Sequence, residues 1–299
     1  MNPHSEAYLE ALPHISASID AQECAFYFNN SLFLLSRIEN SPGWSVERRA
    51  EVLLVHAGDE WSAVLPLTRD RGAYAEAVVE QLEVGKTVLR VPRWLSSQIE
   101  AAGRHEAQLM WPDYVCKTED MQTMAGRRLK GIRQRLAKLD RGGELMLVLL
   151  DAEHQAEAGE LARLWYSQRR TVLKTMYLFK ENVWLFEHWA AVSKRIASAF
   201  GVGVLHGGRL VAVNLTCPLS DTYWVCHTER YDGACPVYAN QLAFREACRR
   251  VDAAARPFLN DGSTEVPYQP GVDNLTTFKH RLAAFELSPY MFQKAEGGG

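Results

Sequence analysis

The chain has 299 residues, enough for two domains of common size, and 47% of them are hydrophobic, which indicates a folded core rather than a disordered chain. The formal net charge of -3 excludes nucleic-acid binding over the whole surface, so any such contact should be local. No apolar run approaches the roughly 18 residues that span a bilayer, and no signal segment is recognisable. We therefore expect a cytoplasmic protein without a membrane span.

The six cysteines are scattered along the chain. They form no C-x-x-C pair and have no histidine at ligand spacing. Cys217, Cys226, Cys235 and Cys248 cluster only loosely, around strand and helix positions. This usage predicts reduced thiols of a cytosolic protein and no metal site.

The first half of the chain alternates short apolar runs with amphipathic segments. Gly58-Asp59 separates two apolar runs and predicts a hairpin turn, and Pro92 ends a short strand. The predicted elements are strands at 50–57 and 61–67, a helix at 74–83, a strand at 88–91 and a helix at 95–102.

A basic amphipathic helix follows, within residues 111–140. Leu129, Ile132, Leu136 and Leu139 recur at helical spacing and should face a core. The remaining surface carries Arg127, Arg128, Lys130, Arg133, Arg135 and Lys138. Such a cluster in a mildly acidic protein suggests a phosphate-rich partner, although a solvated charged face over a core helix has the same pattern.

Gly142-Gly143 interrupts this helix and predicts a domain boundary, with one domain at 1–142 and a second at 143–299. Gly207-Gly208 predicts a two-residue hairpin turn, and Gly201 a helix cap. The elements predicted in the second half are a strand at 144–150, helices at 154–170 and 183–200, strands at 202–206, 210–217 and 223–228, a helix at 238–251, and a strand that ends at 260–262.

Several short motifs occur in one order along most of the chain. FYFNNSLFLLSRI at 26–38 precedes the basic stretch, and TERYDGA at 228–234, YAN at 238–240, ND at 260–261 and FK at 278–279 follow it. This order resembles the family that forms the cytosolic part of phosphatidylglycerol lysyltransferases and is related to Fem-type aminoacyl-tRNA-dependent transferases. The resemblance implies an α/β (α+β) fold with two tandem GNAT-like (acyl-CoA N-acyltransferase-like) domains, and it implies that the basic residues named above bind tRNA.

The resemblance also implies a chemistry that needs few groups. An aminoacyl ester is already activated, so the enzyme has to place an acceptor amine, accept its proton and stabilise the oxyanion. In the second domain, Glu229 and Asp261 are candidate proton acceptors, and Asn240 or Tyr238 could donate to the oxyanion. The candidate substrate-binding residues are Tyr223, His227, Asn260 and Lys279. An ordinary structural role is open for each of them.

One segment is similar to the pyrophosphate loop of acetyl-CoA-dependent GNAT enzymes. Arg230-Tyr-Asp-Gly233-Ala-Cys235 lies between a strand and a helix, where backbone N–H groups could hold a pyrophosphate. The last small residue of that pattern is a cysteine here, and Pro236 after it supplies no amide donor. We therefore expect acetyl-CoA not to be the donor and no cofactor to be needed beyond aminoacyl-tRNA as co-substrate.

The sequence is compatible with three alternative functions. The first is an aminoacyl-tRNA-dependent transferase that forms an amide or peptide bond on a soluble small-molecule or peptide amine. The second is a CoA-dependent N-acyltransferase, which depends on the Arg230–Cys235 loop. The third is a non-catalytic binding protein, which Ser263-Thr264 would fit because they stand where family members often carry an acidic run.

Overall fold

The computed structural model of the protein describes residues 2–101, 105–124, 126–169, 179–235, 238–263 and 274–294. Pro236 and Thr264, which entered the sequence arguments, lie outside these residues, as do parts of the helices predicted at 95–102 and 154–170. The described chain is a mixed α/β structure built around two β-sheets.

Both halves of the chain contain helices and strands. The first half contains α1 Pro3–Ser18, a 3-10 turn Tyr27–Asn29, α2 Ser31–Asn40, β1 Trp44–Arg48, β2 Val52–Ala57, β3 Trp61–Pro66, α3 Arg71–Glu83, β4 Thr87–Val91, α4 Arg93–Ala101, β5 His105–Leu109, β6 Asp113–Lys117, α5 Thr118–Thr123 and α6 Lys130–Gly142. The second contains β7 Leu145–Leu149, α7 Gln155–Arg169, α8 Phe179–Glu187, α9 Trp189–Arg195, β8 Phe200–His206, β9 Arg209–Pro218, β10 Tyr223–Tyr231, α10 Ala239–Ala253, β11 Phe258–Ser263, α11 Asn274–Leu282, β12 Phe285–Leu287 and β13 Tyr290–Lys294.

Each half of the chain contributes a strand to the sheet formed mainly by the other half. The first has the order β1-β2-β3-β4-β13-β5, so its fifth strand comes from the C-terminal end of the chain. The second has the order β12-β6-β11-β10-β9-β8-β7, so β6 from the first half lies inside it. Sheet membership therefore crosses Gly142–Gly143, where the sequence predicts the boundary between domains.

Both predicted hairpin turns are confirmed. β2 and β3 pair antiparallel around Gly58, whose φ is +66°. β8 and β9 pair antiparallel around Gly207 and Gly208, with φ of +56° and +79°. Glycine is favoured at these positions because other residues rarely adopt positive φ.

The helix predicted at 183–200 and capped by Gly201 was wrong in its bounds. Two helices, α8 and α9, occupy this segment, and Gly201 lies within strand β8. A side chain on Gly201 would place its Cβ 2.7 Å from Leu150 Cδ1. Gly201 is therefore required because Leu150 packs directly on the strand.

The basic helix α6 packs as its sequence pattern predicts. Leu129 and Leu136 are buried in the core of the second sheet, and Ile132 and Leu139 pack partly buried against the same core. The helix begins at Lys130, so Arg127 and Arg128 precede its first turn. Among the helices that the structure describes, none combines the length and apolar character needed to cross a bilayer.

Candidate active site

The second sheet opens between strands β10 and β11. These parallel strands share three residue pairs, the last joining Val225 and Asn260, and both strands then continue without pairing to each other. Strand β10 also shifts register against β9 between Cys226 and Thr228. A cavity of about 540 Å³ lies beside the opened ends. Of the residues proposed from the sequence, it is lined by Glu229, Asp261, Asn240, His227 and Lys279.

Glu229, Asp261 and Lys279 form a compact charged group. The Lys279 Nζ lies 3.6 Å from Asp261 Oδ2 and also donates to the Asp261 carbonyl oxygen. Side-chain atoms of Cys226, Glu229 and Asp261 all lie within 4.8 Å of one another. Three elements, β10, β11 and α11, thus bring two carboxyl groups and one ammonium group to one wall of the cavity.

Burial changes the protonation of this group. It raises the pKa of Glu229 to about 8, and the neighbouring Asp261 charge acts in the same direction. The pKa of Asp261 is also raised by burial, although Lys279 opposes that rise. Burial lowers the pKa of Lys279, but the surrounding anionic groups outweigh it and the pKa is raised. At neutral pH the arrangement favours one retained proton on the carboxyl pair beside a charged lysine.

Asn214 on β9 supports this wall, and the sequence analysis missed it. Its Nδ2 donates to Glu229 Oε1 at 3.2 Å and to Cys226 Sγ at 2.9 Å, while its Oδ1 accepts from Thr216 Oγ1 at 2.6 Å. Asn214 and Thr216 are polar, fully buried positions in an otherwise apolar strand. That interruption was the available signal, because buried polar groups require partners.

Tyr27 is contributed by the first half of the chain and was also missed. Its hydroxyl donates to the His227 carbonyl oxygen, and its backbone N–H donates to Asp113 Oδ2. Its ring stacks on the His227 ring, with centroids 5.9 Å apart. A side chain at Gly262, where φ is +73°, would place a Cβ 2.7 Å from Tyr27 Cδ2. Tyr27 of the FYFNN motif thus lines the cavity.

Arg230 forms another wall, against aromatic rings. Its guanidinium carbon lies 4.2 Å from the Trp165 ring centroid and 5.1 Å from that of Tyr166. Its Nη2 donates to Tyr166 Oη at 3.0 Å, and its Nη1 donates to the Glu229 carbonyl oxygen at 2.6 Å. Asn182 Nδ2 donates to the same tyrosine oxygen at 2.9 Å. These contacts hold the guanidinium in one orientation.

Three residues proposed from the sequence lie elsewhere. Tyr223 begins β10 at the opposite end from Glu229 and stacks on Phe258 at 5.3 Å. Asn260 is fully buried and donates to Asp113 Oδ2 and to the Ala25 carbonyl oxygen, both at 3.1 Å. Tyr238 precedes α10 and is not among the described residues that line the cavity. Local order along the chain did not distinguish these positions, because the opening of the strands decides which side chains face the cavity.

The basic side chains proposed to bind tRNA are exposed. They lie on α6 and in the segment just before it. The Arg135 guanidinium lies over the Tyr238 ring, 4.4 Å from its centroid. Arg135, Lys138 and Tyr238 line a second cavity of about 340 Å³ between α6 and the start of α10. Since Asn240 lies in the first turn of α10, this helix connects the basic surface with the candidate active site.

Cys226, Glu229 and Asp261 are also the described residues grouped closely enough to hold a metal ion. The sequence predicts no metal site, and two features of the group oppose one. The Lys279 ammonium group already lies beside Asp261. Burial also raises the pKa of the Cys226 thiol well above its usual value, and a thiol must lose its proton to bind a metal.

In the loop that is similar to a pyrophosphate loop, the backbone N–H groups already donate hydrogen bonds within the protein. The Ala234 N–H donates to Asp232 Oδ1 at 2.9 Å, and the Cys235 N–H to the Asp232 carbonyl oxygen at 3.1 Å. The Gly233 N–H donates to Gln168 Oε1, and Gln168 Nε2 donates to Asp232 Oδ1, both at 3.1 Å. The Asp232 carboxylate thus lies where an anionic ligand would have to bind.

The structure is similar to several solved structures at low sequence identity. A conserved protein of unknown function from Bacteroides thetaiotaomicron superposes with a TM-score of 0.77 at 15% identity, covering 96% of this chain and 97% of that one. The structure of L-PGS from Bacillus licheniformis gives 0.67 at 12% identity, covering 99% and 92%. FemX gives 0.61 at 7% identity, covering 92% and 96%. This likeness confirms the expected α/β fold with two tandem GNAT-like domains.

A sequence comparison with curated proteins found no match. The family described as "Phosphatidylglycerol lysyltransferase, C-terminal" matches residues 27–272, which include both the FYFNN motif and the candidate active site. A match over most of the chain confirms the resemblance seen in the motifs. The chain therefore belongs to the phosphatidylglycerol lysyltransferase C-terminal family, a family of transferases.

Proposed function

We propose that this protein transfers an aminoacyl group from aminoacyl-tRNA to a nucleophilic acceptor. The observation that carries the proposal is the Glu229–Asp261–Lys279 group at the opened ends of β10 and β11. The basic surface of α6 contacts Tyr238, directly before α10, and Asn240 of that helix lines the same cavity. The names of the matched family and of L-PGS and FemX, whose structures are similar, accord with this reaction.

The residues that line the cavity can perform the transfer without a covalent enzyme intermediate. The acceptor attacks the ester carbonyl carbon, and the bond from that carbon to the ribose oxygen breaks. The acceptor's proton passes to the carboxyl pair, and the pair returns one proton to the leaving ribose oxygen. Lys279 keeps negative charge on the pair in the buried site. Asn240, in the first turn of α10, is the proposed donor to the oxyanion.

The acceptor is the open part of the proposal. We predicted a soluble small-molecule or peptide amine, whereas the family name points to phosphatidylglycerol, whose acceptor group is a hydroxyl. A base that accepts a proton from an ammonium group can also accept one from a hydroxyl. Both acceptors therefore belong in the test.

The same proposal excludes acetyl-CoA as the donor. The Gly233, Ala234 and Cys235 N–H groups donate within the protein, and the Asp232 carboxylate beside them would repel a pyrophosphate. Calorimetry with acetyl-CoA should detect no binding tighter than about millimolar, roughly 4 kcal/mol. Micromolar binding would instead favour the CoA-dependent acyltransferase.

The deciding experiment is a transfer assay with total charged tRNA carrying radiolabelled amino acids. Acceptors are supplied as a panel of soluble amines and peptides and, separately, as phosphatidylglycerol vesicles. We expect RNase-sensitive transfer into one acceptor class. Label that stays on tRNA with every acceptor would contradict the proposal, and transfer only into lipid would contradict the soluble acceptor.

A further inference from the structure

The candidate active-site cavity contains a set of buried polar atoms without hydrogen-bond partners. They are both ring nitrogens of His227, the Thr228 hydroxyl, the Arg230 Nε and the Gln241 Oε1. All four residues line this one cavity. His227 and Thr228 are each only 5% exposed.

Such a concentration requires a physical cause. More than nine-tenths of buried polar groups in folded proteins have a partner, because leaving one unpaired costs free energy. Two of the four residues, His227 and Thr228, lie at the register shift of β10. A bulge of this kind re-aims the side chains beside it, and bulges are frequent next to binding sites.

The charge state of His227 narrows the ligand chemistry. Burial lowers the pKa of its imidazole to about 3, and the Arg230 charge acts in the same direction. A neutral imidazole offers one donor and one acceptor. Arg230 Nε offers a further donor and Gln241 Oε1 a further acceptor, while the Thr228 hydroxyl can do either.

We propose that His227, Thr228, Arg230 and Gln241 form a subsite for the aminoacylated ribose, the ester-bearing end of the aminoacyl-adenosine. The unpaired protein groups are donors and acceptors in mixture, and this ligand end is as well: its 2′-hydroxyl donates and accepts, its ester carbonyl accepts, and its α-amino group donates. A bare phosphate offers acceptors mainly and would leave Gln241 Oε1 and one imidazole nitrogen unpaired. The subsite rests on the proposed function and assigns its donor.

The test uses stable amide analogues, 3′-aminoacylamino-3′-deoxyadenosines carrying lysyl, alanyl or leucyl groups. Binding is measured by calorimetry to the full-length protein and to the Thr228→Val and His227→Phe variants, and thermal unfolding is measured in parallel. Thr228→Val should bind roughly three- to tenfold more weakly, as expected for one lost hydrogen bond. His227→Phe should weaken binding by at least as much, because it removes both ring nitrogens. Neither should unfold at a lower temperature, because no internal hydrogen bond is lost.

Thr118→Val is the matched control. Its buried hydroxyl has partners, the Arg256 carbonyl oxygen at 3.0 Å and Asp252 Oδ1 at 3.2 Å. This variant should lose thermal stability and keep its affinity for the analogue. If Thr228→Val behaves like Thr118→Val, the Thr228 hydroxyl has an ordinary structural role and the subsite is wrong.

Two further experiments complete the test. The first asks whether the subsite binds the ribose 2′-hydroxyl or a polyol acceptor, and the second separates the subsite from the proposed reaction. Removing the 2′-hydroxyl from the analogue should weaken binding to the wild-type protein, and less so to at least one variant. If no analogue binds, or if glycerol competes as a polyol acceptor would, the ribose assignment is overturned. If an analogue binds with the expected pattern but charged tRNA supports no transfer, the subsite stands and the proposed reaction fails.

Discussion

At the scale of single residues, the proposed chemistry depends on three charged side chains that lie together in the cavity. Glu229 and Asp261 lie close enough for their charges to interact, and Lys279 binds one of them. Each alone would be an ordinary carboxylate, but burial and proximity make them a proton-sharing pair. Their substitution is therefore the most direct test of catalysis.

Asp261→Asn and Glu229→Gln are nearly isosteric with the residues that they replace. At least one should reduce the turnover number by roughly 10²- to 10⁴-fold, the usual contribution of a positioned acid or base. Binding of charged tRNA should change little, since neither residue lies on the basic surface. Full turnover in both variants would show that the carboxyl pair accepts no proton from the acceptor.

Glu229 should also make stability depend on pH. Its pKa is raised to about 8 in the folded state, so its contribution to stability is complete below the unfolded value and is lost as the pH rises through about 8. The free energy of unfolding of Glu229→Gln minus that of wild type should therefore increase from pH 5 to pH 9, as measured by urea denaturation. Parallel pH profiles would show that Glu229 titrates normally.

Gly262→Ala tests the contact between the two halves. A methyl group there would meet the Tyr27 ring and would also occupy a backbone with φ of +73°. Gly207→Ala is the control, since it has φ of +56° and no atom within 4 Å of the added Cβ. Gly262→Ala should cost more than the control, by roughly 1–3 kcal/mol for overpacking. Equal losses in denaturant titrations would show that Tyr27 moves aside freely.

At the scale of elements, α6 combines two functions on one helix. Its apolar side packs on the core of the second sheet, while its other side presents exposed arginines and lysines. Packing alone would not require those charges. Their contact with Tyr238, just before α10, connects this surface to the candidate site.

Reversing Arg128, Arg133 and Arg135 to glutamate should weaken tRNA binding and reduce its dependence on salt, because fewer counterions are released. The control reverses Arg48, Arg93 and Lys194, exposed residues on other elements, and makes the same change in net charge. Filter binding at several salt concentrations measures both. A folded α6 variant that binds as the control does would remove the RNA role from α6.

At the scale of the whole molecule, the exchanged strands make the two halves depend on each other. β6 supplies Tyr114, Val115 and Cys116, all fully buried, to the second sheet. β13 supplies the buried Phe292 to the first sheet, between β4 and β5. Each half of the chain thus completes the core of the other.

Fragments 1–142 and 143–299 should therefore not fold independently. Each lacks an interior strand, which removes ladder hydrogen bonds and leaves apolar surface exposed. Near-ultraviolet circular dichroism should show no fixed tertiary signal in either fragment, and the full chain should unfold in one cooperative transition. A fragment with a native-like spectrum and a sharp transition would show that strand exchange is not needed for folding.

The sequence by itself determined the features that depend on local pattern. The leucine spacing of α6, the glycine-containing turns of the two hairpins and the ordered motifs are readable along the chain and were confirmed. The bounds of α8 and α9 were not readable, because Gly201 is explained by a side chain fifty-one positions earlier in the sequence, Leu150.

Only the tertiary structure decided which polar residues meet. Tyr27 and Glu229 lie some two hundred positions apart and line one cavity, while Tyr238 and Asn240, two positions apart, do not share it. The reason is geometric: the opening of β10 from β11 and the register shift of β10 select the side chains that face the cavity. Long-range strand pairing sets that selection, and no local spacing in the sequence encodes it.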